Sequence, residues 1–300
     1  MLRSISEAEV AHVLSYAKLI PAMERALIAF SAGATVQPVR TVLTVEAGQR
    51  FFGVMPAVTP EGMGAKLVCF YPKNAASGLP THQAIIMLFE SETGRPLAVL
   101  DGRLITEMRT AAVSAAVTRH LAPADTKVLA LLGSGVQAQA HLEALRHVCH
   151  FEEVRIWSRT SEHAQRFAAR HGARATDLEE AVLGADVIVT ATSAREPVLR
   201  GEWLKAGAHV NAVGACLPTW RELDDAALTA NTLIVDSREA ALKESGDVIL
   251  SRARIFAEAG EIFAGTRRAA RETTTVFKSL GLAVEDIAAA RLVYDAVSAA

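Results

Sequence analysis

One stretch restricts this chain more than any other: Lys127 to His141, KVLALLGSGVQAQAH. An apolar run, Val128 to Leu132, leads straight into Gly133-Ser134-Gly135-Val136-Gln137-Ala138, and an alanine-rich, glycine-poor segment follows. The order reads strand, tight turn, helix, with G-x-G-x-x-A at the turn. Gly133 suits the backbone angles of the turn. Gly135 has no Cβ, so a diphosphate can approach the main chain, and Ala138 lets the helix lie close to the strand. The first turn of such a helix offers unpaired N–H groups and a partial positive charge to phosphate. The pattern implies a dinucleotide site; the alternative is a tight turn in an ordinary α/β protein.

The pattern around this turn divides the chain in two. Ser6 with Glu9 reads as a capping box opening a helix through about Tyr16, and Pro21 as the first turn of a second helix through Phe30. Between Val36 and Leu100 short β-type runs alternate with Gly and Pro: Arg40–Val45, Phe51–Ala57, Gly64–Phe70, Gln83–Glu90 and Pro96–Asp101. Strands after helices point to an α+β unit on an antiparallel sheet. Thr106 to Leu121 reads as a helix with a small-residue face, stopped by Pro123, where a domain boundary is placed. Beyond Lys127 strands (Val128–Leu132, Val154–Trp157, Val187–Thr190, His209–Val213, Thr232–Asp236) alternate with helical stretches. That alternation predicts a parallel sheet with right-handed crossovers. From Asp247 onward the chain reads as mostly helical, ending in Val284–Ser298.

Composition narrows the function. The net charge is -2 with no basic block, so neither nucleic acid nor a membrane surface is implied as a partner. Three widely spaced cysteines, Cys69, Cys149 and Cys216, fit a reducing compartment better than a disulfide framework. No apolar run reaches the ~18 residues that span a bilayer, and the start MLRSISEAEV has no signal pattern, so a cytoplasmic protein is expected. His141, His147, Cys149 and His150 lack the spacing of a metal site, and no metal is expected.

Two groups of residues carry chemistry. After the strand Glu153–Trp157 comes Ser158-Arg159-Thr160, with no carboxylate to bind a ribose 2′-hydroxyl. A guanidinium flanked by two hydroxyls suits a 2′-phosphate, hence NADPH; the alternative is that Arg159 only solvates the strand end. Arg40, Lys66, Arg103 and Arg109 lie in or beside apolar runs. A buried cation must be paired. If Arg40, Lys66 and Arg109 converge, a substrate carboxylate or cofactor phosphate would pair them; the alternative is ion pairing with Glu46, Glu61 or Glu107. His82 reads either as an acid–base or cofactor contact or as a structural donor.

Seven segments together carry a family resemblance: QPVRT (37–41), AKLVCFYPKN (65–74), THQAIIMLFE (81–90), MRTAAVSAA (108–116), LGSGVQAQAH (132–141), VNAVGACLPTWRELD (210–224) and DSREAALKESGDV (236–248). Over essentially its whole length the chain resembles the ornithine cyclodeaminase/mu-crystallin family, and most of all its crystallin branch. The resemblance implies a substrate-binding and dimerisation domain (1–122 with 282–300) and an NADP-binding Rossmann domain (123–281), a doubly wound parallel sheet. It implies a homodimer and an NADPH-dependent oxidoreductase that reduces the C=N bond of 2-ketimine carboxylates. Related activities in the family are an alanine-type dehydrogenase, ornithine cyclodeamination and NADPH-dependent binding of a thyroid-hormone-like ligand.

The resemblance also implies roles for residues. Arg40, Lys66 and Arg109 match the carboxylate-binding and catalytic set. Thr81, His82 and Gln83 match a cofactor-side loop, and Arg109 is counted with the cofactor too. The cofactor set continues through Gly133, Ser134, Gly135, Val136, Gln137, Ser158, Arg159, Thr160, His163, Thr192, Ser193, Val213, Ala215 and Ser279. Glu244 falls where the crystallin contacts its substrate-site ligand. Cys216 falls where true cyclodeaminases carry an aspartate, and a thiol does not replace a carboxylate base. Cyclisation with loss of ammonia is therefore disfavoured, whereas reduction of a C=N bond needs no such base.

Overall fold

The computed structural model describes residues 2–270 and 272–299. The chain forms two compact units, Met1–Arg109 with Gly281–Ala300, and Thr110–Leu280. The architecture is α/β, with a large parallel sheet, as the alternation of strands and helices implies.

In the first unit, β1 (Arg3–Ile5), α1 (Glu7–Val13) and α2 (Tyr16–Ser31) precede five longer strands. These are β2 (Thr41–Glu46), β3 (Arg50–Thr59), β4 (Gly62–Phe70), β5 (His82–Phe89) and β6 (Pro96–Asp101), which leads into α3 (Arg103–Leu121). The capping box at the start of α1 is present, with Ser6 and Glu9 bonded reciprocally. Pro21 does not open α2; it lies inside the helix, which starts at Tyr16. Burial of Tyr16, Leu19, Ile20, Met23 and Leu27 offsets the missing amide donor. The six strands run in the order β1-β6-β5-β4-β3-β2. All pair antiparallel except the short β1, which pairs parallel to β6 and makes the sheet mixed.

The second unit continues through β7 (Val128–Leu132), α4 (Val136–Leu145), β8 (Glu153–Trp157), α5 (Ser161–His171), β9 (Arg174–Ala175), α6 (Leu178–Val182) and β10 (Val187–Thr190). It goes on through β11 (His209–Ala212), α7 (Asp225–Thr229), β12 (Thr232–Val235), α8 (Arg238–Glu244), α9 (Gly246–Ser251), β13 (Ile255–Glu258), α10 (Ala259–Phe263) and β14 (Thr275–Lys278). The eight strands run β13-β12-β14-β11-β10-β7-β8-β9, all parallel. The region after Asp247 is thus not mostly helical, because β13 and β14 are strands, and β14 lies between β11 and β12.

The last helix, α11 (Ala283–Ala299), belongs to the first unit and packs on α2, β3 and β4. Period-two alternation puts Gly62, Gly64 and Lys66 of β4 on one face. The glycines let α11 come close: a Cβ at Gly64 would lie 2.8 Å from Ile287 Cδ1. Lys66, on the same face, therefore reaches the first turn of α11. Among the described residues no helix is long and apolar enough to cross a membrane.

Candidate functional site

Lys66 is 1% exposed and Arg109 4%. Asp286 joins them: its Oδ2 lies 2.7 Å from Lys66 Nζ and its Oδ1 3.0 Å from Arg109 Nε. Glu285 Oε2 lies 2.5 Å from Arg109 Nη1. Both carboxylates are fully buried in the first turn of α11, where the helix N-terminus favours negative charge. Arg40 Nη2 donates to the Gly281 carbonyl at 2.9 Å. Gly281 has φ +78, and a Cβ there would lie 2.3 Å from Arg109 Nη1. A side chain there would be strained by the positive φ and would push that guanidinium aside.

Lys66 feels both Arg109 and Arg40, so the three cations share one neighbourhood. Of the acids named from the sequence, Glu46 pairs with Arg50 and Glu107 with Arg103. Arg103, the fourth cation of the apolar runs, goes to Glu7 and Glu107. The acids that pair with Lys66 and Arg109 come from α11: Asp286 lies 220 positions beyond Lys66, and Glu285 176 beyond Arg109. Burial pushes the Lys66 ammonium down, Asp286 pulls it up, and the two guanidiniums push it down again; the result is about 8. His82 stacks on Phe70, ring centroids 4.5 Å apart, and its Nδ1 lies 3.2 Å from Thr81 Oγ1. Packing against Phe70, and then the Lys66 charge, push the imidazole below its usual value, an effect that water tempers because the residue is exposed. His82 is therefore neutral at pH 7. Gln83 beside it is exposed.

In the second unit, Gly133 takes φ +114, and a Cβ there would lie 2.4 Å from the Ala191 carbonyl. Gly135 caps α4 with no side-chain bond and has nothing within 4 Å of a would-be Cβ. Open space over a helix start with unspent N–H groups fits a diphosphate. Val136 and Gln137 begin that helix, and Val136 is 55% exposed. The ends of β7 and β8 are in register, Leu132 beside Trp157, and Ser134 Oγ donates to Ser158 Oγ at 3.0 Å. The turn and the Ser158-Arg159-Thr160 segment are thus neighbours, with Arg159 exposed and Thr160 capping α5.

Three of the remaining cofactor candidates lie on loops tied by a residue that sequence reasoning missed. Glu222 is fully buried and accepts from Thr192 N and Oγ1, Gly214 N, Ala215 N and Thr190 Oγ1. It ties the loops after β10 and β11, which carry Thr192, Val213 and Ala215. Asp247 fixes Glu222 in turn by accepting from its N–H and that of Leu223. Lys278 Nζ lies 3.1 Å from Asp247 Oδ2, both fully buried. Burial opposes the Lys278 charge, but Asp247, with Cys216 and Glu222, outweighs it and holds the ammonium above its usual range. The signal was in WRELD and ESGD, quoted above only as resemblance. Ser279 donates to Asp236 Oδ2 at 3.3 Å and is buried. Ser193 and His163 are exposed, Glu244 is half-buried at the end of α8, and Cys216 lies 3.6 Å from the Val213 carbonyl. His141, one of the residues weighed for metal, spends both ring nitrogens on Gln137 O and Ser114 Oγ.

Comparison with known proteins then decides the family. The model of the ornithine cyclodeaminase/mu-crystallin family matches residues 1–300. The chain belongs to this family. It is 52% identical over 295 residues to the ketimine reductase mu-crystallin of Rattus norvegicus, covering 96% of this chain and 94% of the relative. A solved Thermococcus litoralis Delta(1)-pyrroline-2-carboxylate reductase, in complex with NADH and L-proline, superposes with a TM-score of 0.94. It is 35% identical and the match covers 100% of this chain and 98% of that one. An archaeal alanine dehydrogenase dimer with bound NAD gives a TM-score of 0.93 at 33% identity, covering 99% of this chain and 96% of that one. The family resemblance and the α/β fold read from the sequence are both borne out.

Proposed function

We propose that the protein reduces the C=N bond of 2-ketimine carboxylates, cyclic ones such as piperideine-2-carboxylate or pyrroline-2-carboxylate, to amino acids with NADPH. The observation that carries this is the buried Lys66. Its ammonium has three N–H donors and, among the described residues, one ionic partner, Asp286. An anionic C=N compound supplies the missing acceptors. Arg40 and Arg109 beside it complete a clamp for the substrate carboxylate, which orients the imine. The mu-crystallin and pyrroline-2-carboxylate reductase relatives, whose names are those of imine reductases, support the same chemistry.

NADPH would supply the hydride to the imine carbon. The nitrogen must gain a proton as the C=N pair moves onto it, and Lys66, charged below about 8, would give it, directly or through water. The products are the amino acid and oxidised cofactor. Ser158, Arg159 and Thr160 would take the 2′-phosphate, and the Gly133–Gln137 turn the diphosphate. Cys216 at the position of the cyclodeaminase aspartate weighs against release of ammonia. We further propose a homodimer, which the dimeric archaeal neighbour supports, and a cytoplasmic location.

The test is a substrate panel followed at the NADPH absorbance band. Cyclic 2-imine carboxylates should be reduced, with NADH turned over more slowly. Faster turnover of pyruvate plus ammonia would favour a dehydrogenase, and ammonia released from ornithine a cyclodeaminase. A ligand-binding protein would turn over none of them.

A further inference from the structure

The two acids of α11 have no role in the reading so far. Their cost is high: two carboxylates and two cations share one water-poor pocket, where apolar residues of similar size would pack at least as well. Filling space does not explain them. The segment Gly281–Asp286 touches all three cations: Gly281 O holds Arg40, Glu285 holds Arg109, and Asp286 bridges Arg109 and Lys66. Gln37 Oε1 in turn accepts from Val284 N at 2.8 Å and fastens that segment beside Arg40.

We propose that Asp286 is the positioning residue of this site, holding Lys66 charged and fixing Lys66 and Arg109 in the orientation that receives the substrate. The inference rests on the proposed role of Lys66 as proton donor. The groups facing Lys66 are Asp286 from α11, Arg109 from α3, Arg40 from the segment before β2, and His82 from β5. Asp286 is the one carboxylate that raises the ammonium against its burial and against two guanidiniums. Without it, both remaining influences push the same way, toward neutral amine.

Three proteins test this: the wild type, Asp286→Asn and Asp286→Glu. Lys66 is titrated directly, by competitive acylation across pH with readout of its peptide by mass spectrometry. The pH profile of kcat/KM is measured beside it, with NADPH affinity and melting temperature as controls. Asp286→Asn should lower the Lys66 titration and the alkaline limb together by about one pH unit or more, with less than about a twofold change in NADPH affinity. Asp286→Glu keeps the charge and shifts its place. It should leave the titration near that of the wild type while kcat falls about a hundredfold, the cost of an ångström of misplacement. A lowered melting temperature with the Lys66 titration unmoved makes Asp286 merely structural and overturns the proposal. So does Asp286→Glu with wild-type kcat, a variant that also serves if Asp286→Asn does not fold. If the titration moves and the alkaline limb stays, Asp286 positions Lys66 as proposed, but Lys66 is not the proton donor and the functional reading fails instead.

Discussion

At the scale of single residues the chemistry depends on protonation. In the role proposed for it, Lys66 has to be charged, both to bind a carboxylate and to give a proton. Burial lowers its pKa from 10.5 to about 8, so at pH 7 it remains mostly protonated. With the charged form active, as proposed, kcat/KM should be level below neutrality and fall as pH rises through about 8. A wild-type limb near the ordinary lysine value would contradict this. Lys66→Met should cost about 10² to 10⁴ in kcat/KM, with NADPH binding, read by fluorescence titration, unchanged. The role proposed for Arg159 bears on a different quantity. It is exposed beside the Gly133 turn, and a charged hydrogen bond to a 2′-phosphate is worth roughly 1.5–3 kcal/mol. Arg159→Ala should therefore weaken NADPH binding about tenfold to a hundredfold and leave NADH binding alone. Equal losses for both cofactors would mean that the guanidinium does not read the phosphate.

At the scale of elements, the site depends on how closely α11 lies on β4. A Cβ at Gly64 would meet Met87 O at 2.1 Å and Ile287 Cδ1 at 2.8 Å. Neither a strand carbonyl nor a packed isoleucine can step aside, so Gly64→Ala should destabilise the protein by about 1–3 kcal/mol in urea unfolding. It should also raise KM, since α11 carries the acids that hold the cations. The glycine turn of the second unit was legible because its residues obey local rules: Gly133 has the positive φ that the turn demands. β14 was not legible. TVFK is four residues long, follows the polar run RRAARETT, and ends in a lysine that reads as surface. The strand is paired on both sides, with β11 and β12, and its buried lysine is met by Asp247 from 31 positions upstream. Glu285 and Asp286 were missed for the same reason. At the start of an amphipathic helix, adjacent acids read as a solvated end, and only the fold shows Lys66 and Arg109 arriving there. Periodicity encodes elements; long-range charge pairs have no local signature.

At the scale of the whole molecule, the question is what covers β2. It is the last strand of its sheet, and all but its final residue are exposed. Val42 is 42% exposed, and Leu43 and Val45 53% each. An apolar edge strand left open invites pairing with another chain and is normally blunted by charge, proline or a covering segment. Here the sequence TVLTVE has one charge, at its end. The homodimer proposed above would put a second copy of the chain there. Light scattering should then give twice the 31.9 kDa of one chain. Leu43→Lys with Val45→Glu should shift the protein to a monomer with its cofactor affinity unchanged, because the glycine turn proposed to hold the cofactor belongs to the other unit. The control is Leu242→Glu, at a residue 61% exposed on that other unit, which should leave the dimer intact. A wild type that remains monomeric at micromolar concentration removes the homodimer altogether. A dimer that survives the β2 substitutions but breaks at Leu242 moves the interface to the parallel-sheet unit and leaves β2 to be explained in some other way.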